Sequence, residues 1–290
     1  MTMRWPDGAP CAVVLTHDVD RVRKQPYHYL AHAVGGRRGG SPLRQLRSLG
    51  LRLCGDEPYW NFEALTRLEA AYGVRSTFLF LNESARGIGP AFWGRYDITS
   101  PKVTGMIRQL DAGGWDIGLH GSYYSYRDRK LLAHEKNVLE HILGRQVVST
   151  RQHYLNHEAA TTFAMQAELG LRVDSTIGYA DRPWDCARGV HPYRIGGTQL
   201  VELPITVMDT VGLHRSEMRR LAQDAIEQVG RAGGAVVLDW HQCTFNEVEY
   251  PAHVAFYRET LEWARSIGAW FATMRAIGEY WDSGHAADGA

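Results

Sequence analysis

The feature that most constrains this chain is a recurring unit: a helical stretch, a glycine, then a short strand apolar on both faces. Helical stretches span 62–72, 102–112, 131–143, 158–169, 216–229 and 252–267, followed by Gly73, the Gly113-Gly114 pair, Gly144, Gly170, Gly230 and Gly268. A glycine just past the last turn readily takes the left-handed conformation that ends a helix. One strand opens the series at 11–17, and others run at 75–81, 115–120, 147–151, 171–175, 199–204, 235–241 and 269–273. Apolar and β-branched residues fill both alternations of most of these runs, as in parallel strands covered by helices. The pattern predicts an α/β chain folded as one domain over 1–290, a distorted parallel (β/α)7-type barrel. A doubly wound open sheet is the structural competitor.

Two segments break the rhythm. Residues 21–59 form a long insertion after the first strand, with Gly35-Gly36 and Gly39-Gly40 in its middle. Residues 178–198 form a second long loop after the fifth strand. Long loops at strand ends are where β/α proteins commonly place function. The insertion is basic: no carboxylate lies between Asp20 and Asp56, whereas Arg21, Arg23, Lys24, Arg37, Arg38, Arg44, Arg47 and Arg52 all do. A solvated cationic face accounts for it, and so does an anion site for a phosphate-bearing or lipid-linked sugar or a membrane surface. Over the whole chain 32 basic residues balance 32 acidic ones, so charge gives no case for a nucleic-acid partner. The four cysteines are scattered, with no Cys-x-x-Cys pair, which suits a reducing compartment. No apolar run reaches membrane-spanning length and the first ten residues lack a signal-peptide pattern, so the expected location is cytoplasmic. Oligomeric state is not legible.

Polar residues gather at the C-terminal ends of the strands: His17-Asp18-Val19-Asp20, His120 to Tyr124, Arg151-Gln152-His153-Tyr154, Asp174 and later Asp181, and Asp239-Trp240-His241. In a β/α barrel these ends converge on one mouth. Carboxylates, imidazoles and an arginine brought together there can hold a divalent metal and move protons to and from water.

These segments resemble the spaced motifs of the polysaccharide deacetylases, the nodulation-type deacetylases among them, over residues 10–275 or so. Thr16-His17-Asp18-Val19-Asp20 is similar to the family's Asp-x-Asp form, which implies Asp18 as general base and Asp20 as metal ligand. The usual second motif, His-Ser/Thr-x-x-x-His, has both histidines on the metal; here His120 is present but Tyr124 stands at the second position. Arg151-Gln152-His153-Tyr154 corresponds to Arg-x-Pro-Tyr, which implies that Arg151 orients Asp18 and that the backbone N–H near Tyr154 serves the oxyanion. His153, at the usual proline position, is the candidate third ligand beside Asp20 and His120. Asp181, in Asp181-Arg182-Pro183-Trp184, resembles the aspartate that tunes the catalytic acid, with Asp174 as its rival. His241 matches the histidine that protonates the leaving amine.

The resemblance implies a hydrolase that removes an N-acetyl group from an amino sugar in a polysaccharide, oligosaccharide or glycan precursor. The implied cofactor is a divalent metal, zinc first, with Co2+, Ni2+ or Mn2+ as options. Two other readings stay open. One keeps the site but changes the amide to a formyl, cyclic imide or ureido group; the other makes the chain a non-catalytic carbohydrate-binding descendant. Tyr124, Tyr154, Trp184 and Trp240 are candidates for stacking on a sugar, against the plainer expectation of packing within the barrel. His28 and His32, with i,i+4 spacing, are expected to be structural.

Overall fold

The computed structural model describes residues 4–34, 41–83 and 92–284. Arg37, Arg38, both glycine pairs of the insertion and most of the C-terminal tail lie outside them. The first strand, β1 (Ala12–Val19), is buried along its whole length. After it the insertion folds as α1 (Pro26–Val34) and α2 (Pro42–Leu53). The repeating units then follow: α3 (Phe62–Ala71), β2 (Thr77–Leu81), α4 (Pro101–Ala112), β3 (Asp116–Gly121), α5 (Arg129–Leu143), β4 (Ser149–Gln152), α6 (Ala159–Glu168) and β5 (Val173–Asp174). Beyond the second long loop come β6 (Tyr193–Arg194), β7 (Val201–Glu202), β8 (Val207–Met208), α7 (Ser216–Arg231), β9 (Ala235–Asp239), α8 (Pro251–Ser266), β10 (Trp270–Ala272) and α9 (Met274–Asp282).

The strands form one curled sheet in the order β6-β7-β5-β4-β3-β2-β1-β9-β8, with β10 beside the start of β1. Every pairing is parallel except β6 with β7. Along one flank β1 pairs first with β10 at Ala12–Val14 and then with β2 at Thr16–Val19, which distorts the barrel. This is the (β/α)7-type barrel that the sequence pattern predicts, not the open sheet.

Two apolar layers follow from the two-residue period of the strands. Val13, Leu15, Phe78, Phe80, Ile117, Leu119, Val236 and Leu238 point outward into the main core under the helices. Ala12, Val14, Leu79, Val173, Leu203 and Val237 point inward, where Met274 and Ile277 of α9 pack against them. The inner face is therefore apolar at its base, and the polar strand ends stand above that floor.

Two expectations need correction, and the expected second loop is seen. The strand expected over 199–204 is only the two-residue β7, and a further two-residue strand, β8, follows it after Leu203 to Thr206. Gly230 does not stop its helix: α7 runs on to Arg231, and Gly233, at φ 71°, takes the left-handed turn. Gly230 instead faces Trp263, whose ring would meet an added Cβ at 2.7 Å. The loop over 178–198 is irregular apart from one 3-10 turn at Cys186–Arg188 and β6.

Candidate active site

Alternation along β1 divides its polar end between two jobs. His17 faces outward, with Nδ1 3.0 Å from the carbonyl of Trp240 and Nε2 2.9 Å from Glu69 of α3. It is a buried structural imidazole. Asp18 and Asp20 face the barrel interior, where β3, β4 and β9 deliver their own alternate residues.

Arg151 of β4 is the wholly buried centre of this layer. Its guanidinium donates to Asp18 Oδ1 at 2.7 Å, to Thr16 Oγ1 at 2.9 Å and to the Ser175 carbonyl at 2.7 Å. Asp239 of β9 lies 3.0 Å from the same guanidinium. Burial alone would raise the Asp18 carboxyl, but the charge of Arg151, with those of His120 and His241, holds it below the usual carboxylate range. Asp239, buried among Asp18 and Asp209, is pushed up to about 7 despite Arg151. Arg151 thus keeps Asp18 ionised, whereas burial and the neighbouring carboxylates push the Asp239 carboxyl up against the pull of the same guanidinium.

Asp20, His120 and His153 form a buried group whose ligand atoms all lie within 4.8 Å of one another. His120 Nε2 is 3.3 Å from Asp20 Oδ1, and His153 Nδ1 is 3.8 Å from the same oxygen. The other nitrogen of His120, Nδ1, sits 3.1 Å from the Arg151 carbonyl. Donating there fixes the ring and leaves Nε2 facing Asp20, where it would be the ligand atom for a cation. Asp20 Oδ1 and His153 Nδ1 are buried without a hydrogen-bond partner. Burial raises the Asp20 carboxyl, but His153, His120 and His241 hold it well below its ordinary range. Two imidazoles and an ionised carboxylate, with orphaned atoms aimed at one point, fit a divalent cation of the zinc type. Arg95 borders the group, donating to His153 Nε2 at 2.7 Å and to the Asp20 carbonyl at 3.1 Å. With Arg95 so placed the neutral ring keeps its proton on Nδ1, so ligation through Nδ1 requires that contact to lengthen.

His241 follows β9. Its Nε2 lies 3.9 Å from Asp20 Oδ2, facing the same space. Its Nδ1 is 2.8 Å from Asp209 Oδ1, and its backbone N–H donates to Asp209 Oδ2 at 3.0 Å. Asp209, in the 3-10 turn after β8, is completely buried. Burial would lower the imidazole, but the Asp209 carboxylate outweighs it and raises His241 well above its ordinary value.

The remaining sequence candidates fall apart from this constellation. Asp181 is 78% exposed and lies 3.5 Å from Arg182 rather than beside His241. Asp174 is buried and bonded to Gln166 at 2.8 Å and to the Thr176 hydroxyl at 2.9 Å. The carboxylate that reaches His241 is Asp209. Trp240 points outward into the core, fully buried and stacked on Phe256, so it offers no face to a ligand. Trp184 is 8% exposed, with its indole N–H on the Gly189 carbonyl at 2.7 Å. Tyr124 and Tyr154 do stand at the mouth, 37% and 57% exposed, in an aromatic group with Phe92 and Tyr123. Tyr154 has φ 59° and Leu155 φ 57°, a left-handed turn that non-glycine residues adopt at a cost of order 1–3 kcal/mol each.

Sequence reasoning missed Asp209 and Arg95, and it placed Asp239 at the mouth without giving it a role. Asp239 carried a signal, since it stands two residues before His241 and shares its face. Asp209 follows a two-residue strand too short to show a period. Arg95 lies in the loop after β2, with no pattern to mark it.

No family model and no curated protein matches the sequence. Solved structures do match. One described as a polysaccharide deacetylase of Mycobacterium smegmatis aligns at 22% identity and a TM-score of 0.62, over 97% of this chain and 93% of that one. Puue allantoinase aligns at 17% identity and 0.61, over 97% and 93%. One described as a polysaccharide deacetylase of Pseudomonas aeruginosa PAO1 aligns at 16% identity and 0.60, over 97% and 94%. Across nearly its whole length, this chain shares the fold of structures described as polysaccharide deacetylases.

Proposed function

We propose that the protein is a divalent-metal-dependent hydrolase that removes an N-acetyl group from an amino sugar. The observation that carries this reading is the convergence of three differently protonated parts on one space: the Asp20–His120–His153 group, the ionised Asp18 on Arg151, and the protonated His241 on Asp209.

A cation held by Asp20, His120 and His153, zinc being our choice, would act as a Lewis acid toward the acyl oxygen and acidify water. Asp18 accepts the proton of the attacking water. Its Oδ1 is committed to Arg151, so Oδ2, 3.5 Å from His120 Nε2, is the oxygen that receives it. Arg151 keeps Asp18 anionic and fixed in rotamer. His241 delivers a proton from Nε2 to the departing nitrogen, a step an amide requires because an amine anion leaves poorly. Asp209 accepts from Nδ1 and keeps that proton in place. We assign the Tyr154 backbone N–H to the developing oxyanion.

The aromatic group at the mouth, with Tyr124 and Tyr154 exposed and Phe92 and Tyr123 half-buried beside them, supports a sugar over a small cyclic amide, since aromatic faces stack on pyranose rings. Fold alone does not choose the amide, because an allantoinase shares it. The test is acetate release from N-acetylated amino sugars and oligosaccharides by the purified chain. Chelation should abolish it and zinc restore it; Asp18→Asn or His241→Ala should each lower it by about 10²–10⁴-fold. No metal uptake after reconstitution, or hydrolysis of cyclic ureides alone, would overturn the reading.

A further inference from the structure

Helix α2 is inside out for a surface helix. The side chains it buries against the barrel are Gln45 and Ser48. The leucines that would ordinarily face a core point away: Leu43 is 75% exposed, Leu46 66% and Leu53 82%. Positions 43, 46, 50 and 53 share one stripe at helical spacing, with Gly50 as its only gap. Leu30 of the adjoining α1 is 70% exposed.

The orientation is fixed by bonds rather than left to chance. Ser48 Oγ donates to Glu249 Oε1 at 2.5 Å, and the Gln45 amide reaches Glu249 Oε2 at 3.2 Å. Lys24 Nζ, itself wholly buried, joins Gln45 Oε1 and Glu249 Oε2 at 2.6 Å each. Rotating α2 to hide its leucines would take Gln45 and Ser48 away from the buried Glu249 carboxylate and Lys24 ammonium, leaving both with unmet hydrogen bonds.

Arg44 and Arg47 stand exposed beside the leucine stripe, within a stretch of sequence that has no carboxylate from 21 to 55. That charge chooses the occupant. A second copy docked through the same stripe would set these arginines against their own counterparts, without an acidic partner on either helix. An anionic lipid surface supplies both an apolar boundary for the leucines and negative headgroups for the arginines. We infer that α2 is an interfacial helix by which the protein binds reversibly to anionic membranes. Its anchors, Lys24 and Glu249, follow the C-terminal ends of β1 and β9. The membrane face and the candidate site therefore lie at the same end of the barrel, although the membrane argument does not depend on the reaction performed there.

The test is co-sedimentation of the full chain with vesicles of phosphatidylcholine alone and of phosphatidylcholine mixed with phosphatidylglycerol. Binding should favour the mixed vesicles by about tenfold or more and weaken as salt rises. The triple variant Leu43→Ser, Leu46→Ser, Leu53→Ser should lose binding to both, and the double variant Arg44→Gln, Arg47→Gln should lose the preference for anionic lipid. All five side chains are exposed, so circular dichroism should be unchanged. Equal sedimentation with both vesicle types, or unaltered binding by the triple variant, would overturn the inference. So would a wild-type dimer in light scattering that the triple variant turns into a monomer without any lipid binding, since the stripe would then be a contact between copies.

Discussion

At the scale of single residues, the candidate chemistry depends on which carboxylate each cation faces. Arg151 and His241 could each have been paired with several acids, and geometry decides among them. Asp209 accepts from His241 at 2.8 Å and is wholly buried, whereas Asp181 is exposed. Asp209→Asn should therefore lower kcat by about 10²-fold or more with little change in KM, because the proton donor is lost but the sugar contacts are not. Asp181→Asn should leave both constants near wild type. Steady-state kinetics on the two variants distinguishes the assignments. The same logic applies to the metal. His153 belongs to the buried group and Tyr124 stands at the mouth, 37% exposed. His153→Ala should lower bound metal per chain, measured by plasma mass spectrometry after dialysis, and Tyr124→Phe should not. Asp18, Asp20, His120, Arg151 and His241 were legible because each ends a strand of recognisable length, where the two-residue period fixes its face. Asp209 was not, because two residues of β8 carry no period and its contact with His241 spans 32 positions. Trp240 shows the same rule from the other side: one residue from His241, it must point outward.

At the scale of elements, the barrel strands and the helices over them follow from local pattern, whereas the placement of the inserted hairpin follows from one long-range pair. Lys24 and Glu249 are 225 residues apart in sequence and 2.6 Å apart in space, both fully buried. Nothing in the periodicity of α2 announces this, because its leucine spacing points to the face that turns out to be exposed. Burial works against the Glu249 charge, yet bonds from His32, Lys24 and Ser48 bring its carboxyl down to about 2 from an ordinary 4.5. A depressed carboxyl stabilises the fold above its unfolded value, and the contribution disappears as pH falls through the folded one. The hairpin should thus stay docked at pH 5 and loosen between about 4.5 and 2. Glu249→Gln leaves Lys24 buried without its counter-charge, a loss of about 3 kcal/mol. That energy holds only α1 and α2, so the effect should be local opening rather than global unfolding. Limited trypsin digestion at Arg44, Arg47 and Arg52 should speed up by about 10²-fold, while the barrel fragment survives intact. Unchanged cleavage would mean that other contacts hold the hairpin.

At the scale of the whole molecule, the fold separates an apolar barrel floor from a polar upper layer, and ionisable groups trapped behind that layer tie global stability to pH. Glu135 of α5 is the clearest. It is fully buried, accepts the Ser122 backbone N–H at 3.1 Å through Oε2, and leaves Oε1 without a partner. Burial, reinforced by nearby Glu83, outweighs the Ser122 bond and pushes its carboxyl up to about 8 from 4.5. At neutral pH it is therefore held as the neutral acid beneath the turn that carries Tyr123 and Tyr124. The sign follows directly. The unfolded chain releases this proton near 4.5 and the folded chain only near 8, so stability is greatest below the lower value and declines as pH rises between the two. Each pH unit in that window costs about 1.4 kcal/mol, or roughly 3 kcal/mol by pH 7. That is a large share of the ~5–15 kcal/mol that holds a typical domain. Local opening cannot relieve it, because Leu132, Leu139 and Ile142 hold α5 in the main core. Glu135→Gln keeps the shape and the acceptor for Ser122 while removing the titration. Urea unfolding at pH 5, 6.5 and 8 should show wild-type stability falling across the series. The variant should fall less steeply and become the more stable of the two at pH 8. Parallel profiles for the two proteins would show that the folded chain leaves Glu135 free to ionise near its ordinary value.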